Sequence, residues 1–226
     1  MATSAISTAP LYQSSIGKKA VMAASGGLLF LFVLGHMIGN LQVFLGPEKL
    51  NAYAKFLHSS KALLWAVRIG LLTIAGLHIY SALQTYLVSR RARPRGYHNQ
   101  RMQAATASSR TMRWGGLAIL FFLVYHLMHL TWGNAHQNFT RDVYCNVVSG
   151  FSIWWVSAIY IVANIFLGLH LFHGLWSLFQ TLGINSPRWN DRLETFARGA
   201  ATLVVIGNIS MPVAVLTGLI PSAGIC

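Results

Sequence analysis

Five apolar runs, at residues 20–45, 62–88, 114–132, 152–179 and 199–220, are each nearly free of charge. About 20 apolar residues cross the hydrocarbon layer as a helix, so these runs are longer than a core strand or core helix requires. Inside a bilayer only helices and closed barrels satisfy every backbone group, and no ten-residue alternation of apolar and polar positions suggests a barrel. The expected fold is therefore all-α, an integral membrane bundle of five transmembrane helices in a single domain over residues 1–226, with 1–19 as a cytoplasmic amino-terminal segment. Composition agrees: 54% of residues are hydrophobic, 9% are charged, and only four of 226 are carboxylates. That is too little ionic surface for a soluble domain of this size.

The net charge of +13 raises the question of nucleic acid, but the basic residues do not line an aromatic or groove-reading surface. They lie between the runs. Lys18 and Lys19 precede the first, Arg90, Arg91, Arg93, Arg95, Arg101, Arg110 and Arg113 crowd the second connection, and Arg188, Arg192 and Arg198 occupy the fourth. These twelve fall on one side of the membrane, against Lys49, Lys55, Lys61 and Arg141 on the other. The positive-inside rule then sets the amino terminus in the cytoplasm and the carboxyl terminus outside. Nucleic acid is excluded as a partner, and lipid is expected. The first run exceeds the 7 to 15 residues of a signal core, so no cleaved signal peptide is expected and the chain is read as full length. Cys145 and Cys226 both fall on the outer side, where an oxidising compartment permits a disulfide. Trp65, Trp132, Trp154 and Trp155 fall near the outer boundary, as interface anchors do. No CxxC pair, Walker loop, strand-borne GxGxxG or serine-nucleophile motif occurs.

Each of the first four runs carries histidine well inside its ends: His36, His78, His126 with His129, and His170 with His173. Ionisable groups in a membrane interior are costly and serve sites. Because successive helices run in opposite directions at about 1.5 Å per residue, position converts into depth. His36 and His126 lie nine and six residues before the outer ends of their helices, and His78 and His170 lie ten and nine before the cytoplasmic ends. Two pairs at two depths result. Neutral imidazoles facing one another across a bundle suit the two axial positions of an iron porphyrin, so two haems are expected, stacked across the membrane. Gly35, Gly39, Gly76, Gly168 and Gly174 near these histidines remove side chains that would obstruct a flat group, and they equally suit helix packing. Residues three apart on a helix differ by about 60° in azimuth, so either member of His126/His129 or of His170/His173 reaches the same region. The first of each pair is taken as ligand and His129 and His173 as neighbours near the propionates, with the order open to exchange.

Two other residues enter the site reading. Arg68, inside the second run, is a candidate partner for an outer-haem propionate, or else snorkels to the interface. His58, on the outer connection, is a candidate for quinone hydrogen bonding or proton exchange.

The stretches "HMIGN" at His36 to Asn40, "GLHIYSAL" around His78, "FFLVYHLM" around His126 and "LHLFHGLW" around His170 resemble the diheme cytochrome b membrane subunit of succinate dehydrogenase and fumarate reductase, in its single-chain, five-helix form. The family's histidine followed four residues later by asparagine falls on His36 and Asn40. Its fourth-helix histidine, ahead of Gly-Leu-Trp, falls on His170 with Gly174, Leu175 and Trp176. The resemblance implies axial ligation of an outer haem b by His36 and His126 and of an inner haem b by His78 and His170. It also implies a flavoprotein subunit that interconverts succinate and fumarate, an iron-sulfur subunit on the cytoplasmic side that relays electrons, and menaquinone or another quinone as the membrane substrate. The location implied is the bacterial cytoplasmic membrane, with the whole complex able to form a higher oligomer. The arginine-rich connection is a candidate docking face for the iron-sulfur subunit. A glutamate that some members carry two residues before the fourth-helix ligand is Gly168 here, so a transmembrane proton route through that position is not expected. Membrane cytochromes of hydrogenases and formate dehydrogenases, and a haem-free anchor, are the competing readings.

Overall fold

The structure, a computed structural model, describes residues 14–92 and 107–221. Seven α-helices occur among them: α1 (Ser15–Asn40), α2 (Pro47–His58), α3 (Lys61–Arg91), α4 (Ala107–Leu130), α5 (Val143–Phe151), α6 (Trp154–Thr181) and α7 (Asn190–Leu216). A 3-10 stretch, Leu41–Leu45, prolongs α1. Five of the helices, α1 with its extension, α3, α4, α6 and α7, are long and apolar enough to cross a membrane. The protein is a multi-pass membrane helix bundle.

Its helices outrun the apolar segments. α4 begins at Ala107 rather than 114 and α7 at Asn190 rather than 199, so Arg110, Arg113, Arg192 and Arg198 sit on helical turns, not in loops. A helix satisfies its backbone as well in the headgroup region as in hydrocarbon, so charge marks where it leaves the membrane and not where it ends. Starts are set by local chemistry. Ser14 accepts from the Gly17 N–H at 2.9 Å, Ser60 from Leu63 at 3.3 Å, and Asp142 from Cys145 at 2.8 Å, each satisfying an otherwise unpaired first-turn donor. Gly46, at φ 94°, makes the turn into α2, where Pro47 occupies the first helical position.

α6 is central and packs on α7, α4 and α1, while α3 packs chiefly on α1. α1 shares no extended backbone contact with α4, nor α3 with α6 or α4. Within α3 the only buried residue is Ser81, as expected of a helix whose outer surface meets lipid.

The short helices α2 and α5 close the end of the bundle opposite residue 15. Asn51 of α2 donates to Asp142 Oδ2 at 2.9 Å and accepts from the Tyr144 N–H at 3.1 Å, so the residue that caps α5 also ties it to α2. Val43, Leu50, Tyr144, Val148, Phe151 and Val156 form an apolar cluster beneath this lid. A second cluster, with Phe30, Met37, Leu171, Leu175, Ala201 and Val204, joins α1, α6 and α7 in mid-bundle. Cys145 is disulfide-bonded, and Cys226 lies outside the described residues, as do Arg93, Arg95 and Arg101. Asp142→Ala removes the cap and one hydrogen bond between α2 and α5. We expect it to cost about 1–2 kcal/mol, read as a lower midpoint of thermal denaturation in detergent.

Candidate functional site

The histidines of α1 and α4 and those of α3 and α6 meet across the gaps left between those helices. His36 and His126 have ring centres 5.9 Å apart with planes at 87°, and His78 and His170 stand 6.2 Å apart at 68°. These are the pairings that helix direction and rise lead one to expect. A metal ion held at about 2 Å by one nitrogen of each ring separates the ring centres by about 6 Å. Both pairs have that spacing.

Hydrogen bonds define which nitrogen is available. Nδ1 of His78 donates to the Met22 carbonyl at 3.1 Å, so the ring's lone pair is on Nε2. α1 permits this approach because Gly26 has no side chain: a Cβ there would lie 3.0 Å from His78 Cε1. On α4, Nδ1 of His126 lies 3.2 Å from the Tyr160 hydroxyl, which can either accept from it or donate to it. The inner level carries two buried polar atoms with no partner, His170 Nδ1 and Ser81 Oγ, and Ser81 sits one turn beyond His78 on the same face of α3. Buried polar atoms are normally paired, so two orphans beside one imidazole pair mark a place where further donors or acceptors belong.

Each pair supplies two nitrogen ligands, and among the described residues no cluster of three or more His, Cys, Asp or Glu stands together. Two axial imidazoles are what an iron porphyrin lacks, since the macrocycle fills the remaining positions. Methyl groups built on Gly35, Gly76 and Gly174, all close in sequence to these histidines, would meet nothing within 4 Å. The other two glycines singled out from the sequence have packing roles. Gly39 lies against Tyr53 of α2, and Gly168 against Val205 of α7. Each imidazole pair offers the two nitrogen donors that a bis-histidine haem would use.

The remaining candidates lie elsewhere. His129 does not face His36: it is 1% exposed, bonded to the Tyr160 hydroxyl at 3.0 Å and stacked between Tyr125 and His136, with ring centres 5.5 and 4.8 Å away. His173 shares a hydrogen bond of 3.3 Å with Ser177, one turn along its own helix. Arg68 is half-buried and lays its guanidinium over Trp65, 5.4 Å from the ring centre. His58 is exposed at the end of α2, where its Nδ1 donates to the Ala54 carbonyl at 2.8 Å. Trp65, Trp132, Trp154 and Trp155 are all exposed, as a belt at the membrane boundary requires.

Tyr160, Tyr125 and His136 escaped the sequence reading. Tyr160 lies six residues into α6, at the depth of His126 on the antiparallel α4, so the arithmetic that pairs the histidines also places this tyrosine beside them. His136 sits in the connection after α4, and no periodicity reaches it.

At the other end of the bundle cationic side chains outnumber acids, Asp191 and Glu194 at the start of α7 being the carboxylates there and Glu194 pairing with Arg198 at 2.8 Å. No carboxylate occurs between Glu48 and Asp142, a stretch that spans all of α3 and α4. Arg90 donates to the Tyr86 hydroxyl at 3.2 Å, and Arg113 lies over the same ring at 5.3 Å, which links α3 to α4 at this end. Such a face is complementary to anionic headgroups or to an acidic protein surface.

No curated protein and no solved structure matches the chain. Residues 89–209, more than half of it, match the family described as succinate dehydrogenase/fumarate reductase transmembrane subunit. That segment contains α4 and α6 with His126, Tyr160 and His170, while His36 and His78 precede it. Five membrane-spanning helices, imidazole pairs across the bundle at two depths and this match together make the chain a member of the family of transmembrane subunits of succinate dehydrogenase and fumarate reductase.

Proposed function

We propose that this subunit anchors its complex through two b-type haems, an outer one held by His36 and His126 and an inner one held by His78 and His170, and serves electron exchange with membrane quinone. The observation that carries the reading is the double juxtaposition of imidazoles from helices that share no extended backbone contact. When bound, haem iron supplies reversible one-electron chemistry.

The chain's own part is holding, orienting and insulating. Hydrogen bonds from Nδ1 of His78 to Met22 and from Nδ1 of His126 to Tyr160 fix ring rotation and direct Nε2 inward. Phe32 stacks on His36, ring centres 5.4 Å apart, and Phe122 lies against His126 at 5.8 Å, so each imidazole of the outer pair is flanked by an apolar ring from its own helix. The lid made by α2 and α5 covers the same end.

The cationic end, including Lys18, Lys19, Arg90, Arg110 and Arg113, is the cytoplasmic end in this reading. It receives the iron-sulfur and flavoprotein subunits, the positive-inside bias supporting that orientation in a bacterial cytoplasmic membrane. Quinone reacts within reach of one haem.

The test is purification of the intact complex from membranes. Expected are co-purified flavoprotein and iron-sulfur subunits, two haems per copy of this chain, and b-type bands that succinate reduces and quinone reoxidises. A complex with no b-type band in its reduced-minus-oxidised spectrum overturns the reading.

A further inference from the structure

We propose that Tyr160 is a positioning residue for the outer haem ligand, its hydroxyl accepting from His126 and donating to the buried His129. The inference rests on the reading of His126 as a ligand and goes beyond it, because it gives an account of a tyrosine and a histidine that ligation alone leaves without a role.

The geometry is specific. The Tyr160 hydroxyl lies 3.2 Å from Nδ1 of His126 and 3.0 Å from Nδ1 of His129. A phenol has one proton, so it donates to one ring and accepts from the other. If it donated to His126, that ring would carry its own proton on Nε2 and could not hold a metal there. The opposite order, His126 Nδ1–H to Tyr160 and Tyr160 O–H to His129 Nδ1, is the one compatible with ligation. His129 is then the acceptor that fixes the direction of the whole chain of bonds.

The surroundings hold this arrangement still. Tyr160 is 5% exposed, and its ring is wedged by Phe122 of α4 at 5.0 Å and Phe151 of α5 at 4.9 Å, both edge-to-face. His129 is fixed from its far side by His136, whose two nitrogens are both engaged: Nε2 donates to the Asn146 carbonyl at 2.9 Å and Nδ1 accepts from the Asn138 N–H at 3.1 Å. Gly150 completes the seat, since a Cβ there would stand 2.7 Å from His129 Cε1. Three elements, α4, α5 and α6, thus enclose this tyrosine and its two histidine neighbours.

Donation from Nδ1–H makes Nε2 a stronger ligand and favours ferric iron, the more so when the accepting hydroxyl is itself polarised by a further hydrogen bond. Tyr160→Phe keeps the wedged ring and removes only the hydroxyl. In the intact complex it is expected to retain two haems and to shift one of them about tenfold toward the reduced form at a given poise, about 59 mV for a one-electron couple. The haem affected is the one that His126→Ala removes. Its ferric low-field g value moves as well, because the ring of His126 is no longer held in rotation, and the other haem is unchanged. Gly150→Ala, which displaces His129 while leaving Tyr160 and His126 in place, is expected to move the same haem in the same direction by less, and it decides the matter if the Phe variant loses that haem. Unchanged potentials and g values in a two-haem Tyr160→Phe complex, or a shift confined to the other haem, overturn this proposal alone. A complex without haem removes the functional reading and this proposal together.

Discussion

His126→Ala is expected to leave the purified complex with one haem per chain instead of two, and His129→Ala to leave it with both. The two residues are three apart on α4, and although depth and the family resemblance favour His126, helical spacing alone leaves the order open to exchange. Their neighbours differ. His126 faces the ring of His36 across the gap between α1 and α4, whereas His129 is enclosed by Tyr125, His136, Tyr160 and Gly150, with no imidazole from another spanning helix opposite it. The same contrast applies on α6, where His170→Ala is expected to cost the second haem and His173→Ala none, because His170 faces His78 while His173 bonds to Ser177. Haem extracted and counted per chain, with protein mass verified, checks all four. Loss of haem in the His129 or His173 variants, with retention in those of His126 or His170, reverses the ligand order.

A second large effect is expected from Gly168→Glu, in membranes and in detergent alike. Gly168 is buried where α6 meets α7, and even a single carbon added there would collide with Val205. Overpacking of this kind costs about 1–3 kcal/mol, and a carboxyl without a partner in the bundle interior adds its own desolvation penalty. The variant should accumulate poorly and denature at a lower temperature, with Val205→Ala in the same chain recovering part of the loss. Glycine at this position therefore does more than omit an acidic group found in some relatives: here α7 fills the volume that a longer side chain would need. Stability equal to that of the unaltered protein would show that α6 and α7 are not seated as described.

Much of this was legible in residue order. Length and lack of charge give the spanning helices, and their alternation in direction turns the positions of His36, His78, His126 and His170 into two depths. Helix ends were less legible, because the turns carrying Arg110 and Arg192 look like loops when charge alone is followed. α2 and α5 were hidden for another reason. They are short segments in polar connections, and what makes α5 a buried helix is the tie from Asp142 to Asn51, 91 residues earlier in the chain. Tyr160 was hidden by its own composition, since a tyrosine in an apolar run reads as packing until the partner of its hydroxyl is known.

The scarcity of backbone contact between α3 and its neighbours α4 and α6, which the ring contact of Arg113 with Tyr86 bridges at one end, bears on biogenesis. As helices leave the translocon, α3 finds α1 and α6 finds α4 and α7, so two subassemblies can be complete before their imidazoles meet. They are joined by α1 lying against α6 and α7, while the opposite seam has little polypeptide of its own to seal it. With haems bound as proposed, cofactor insertion would be the closing step of maturation, and the pigment would act as mortar along that seam as well as a carrier of charge.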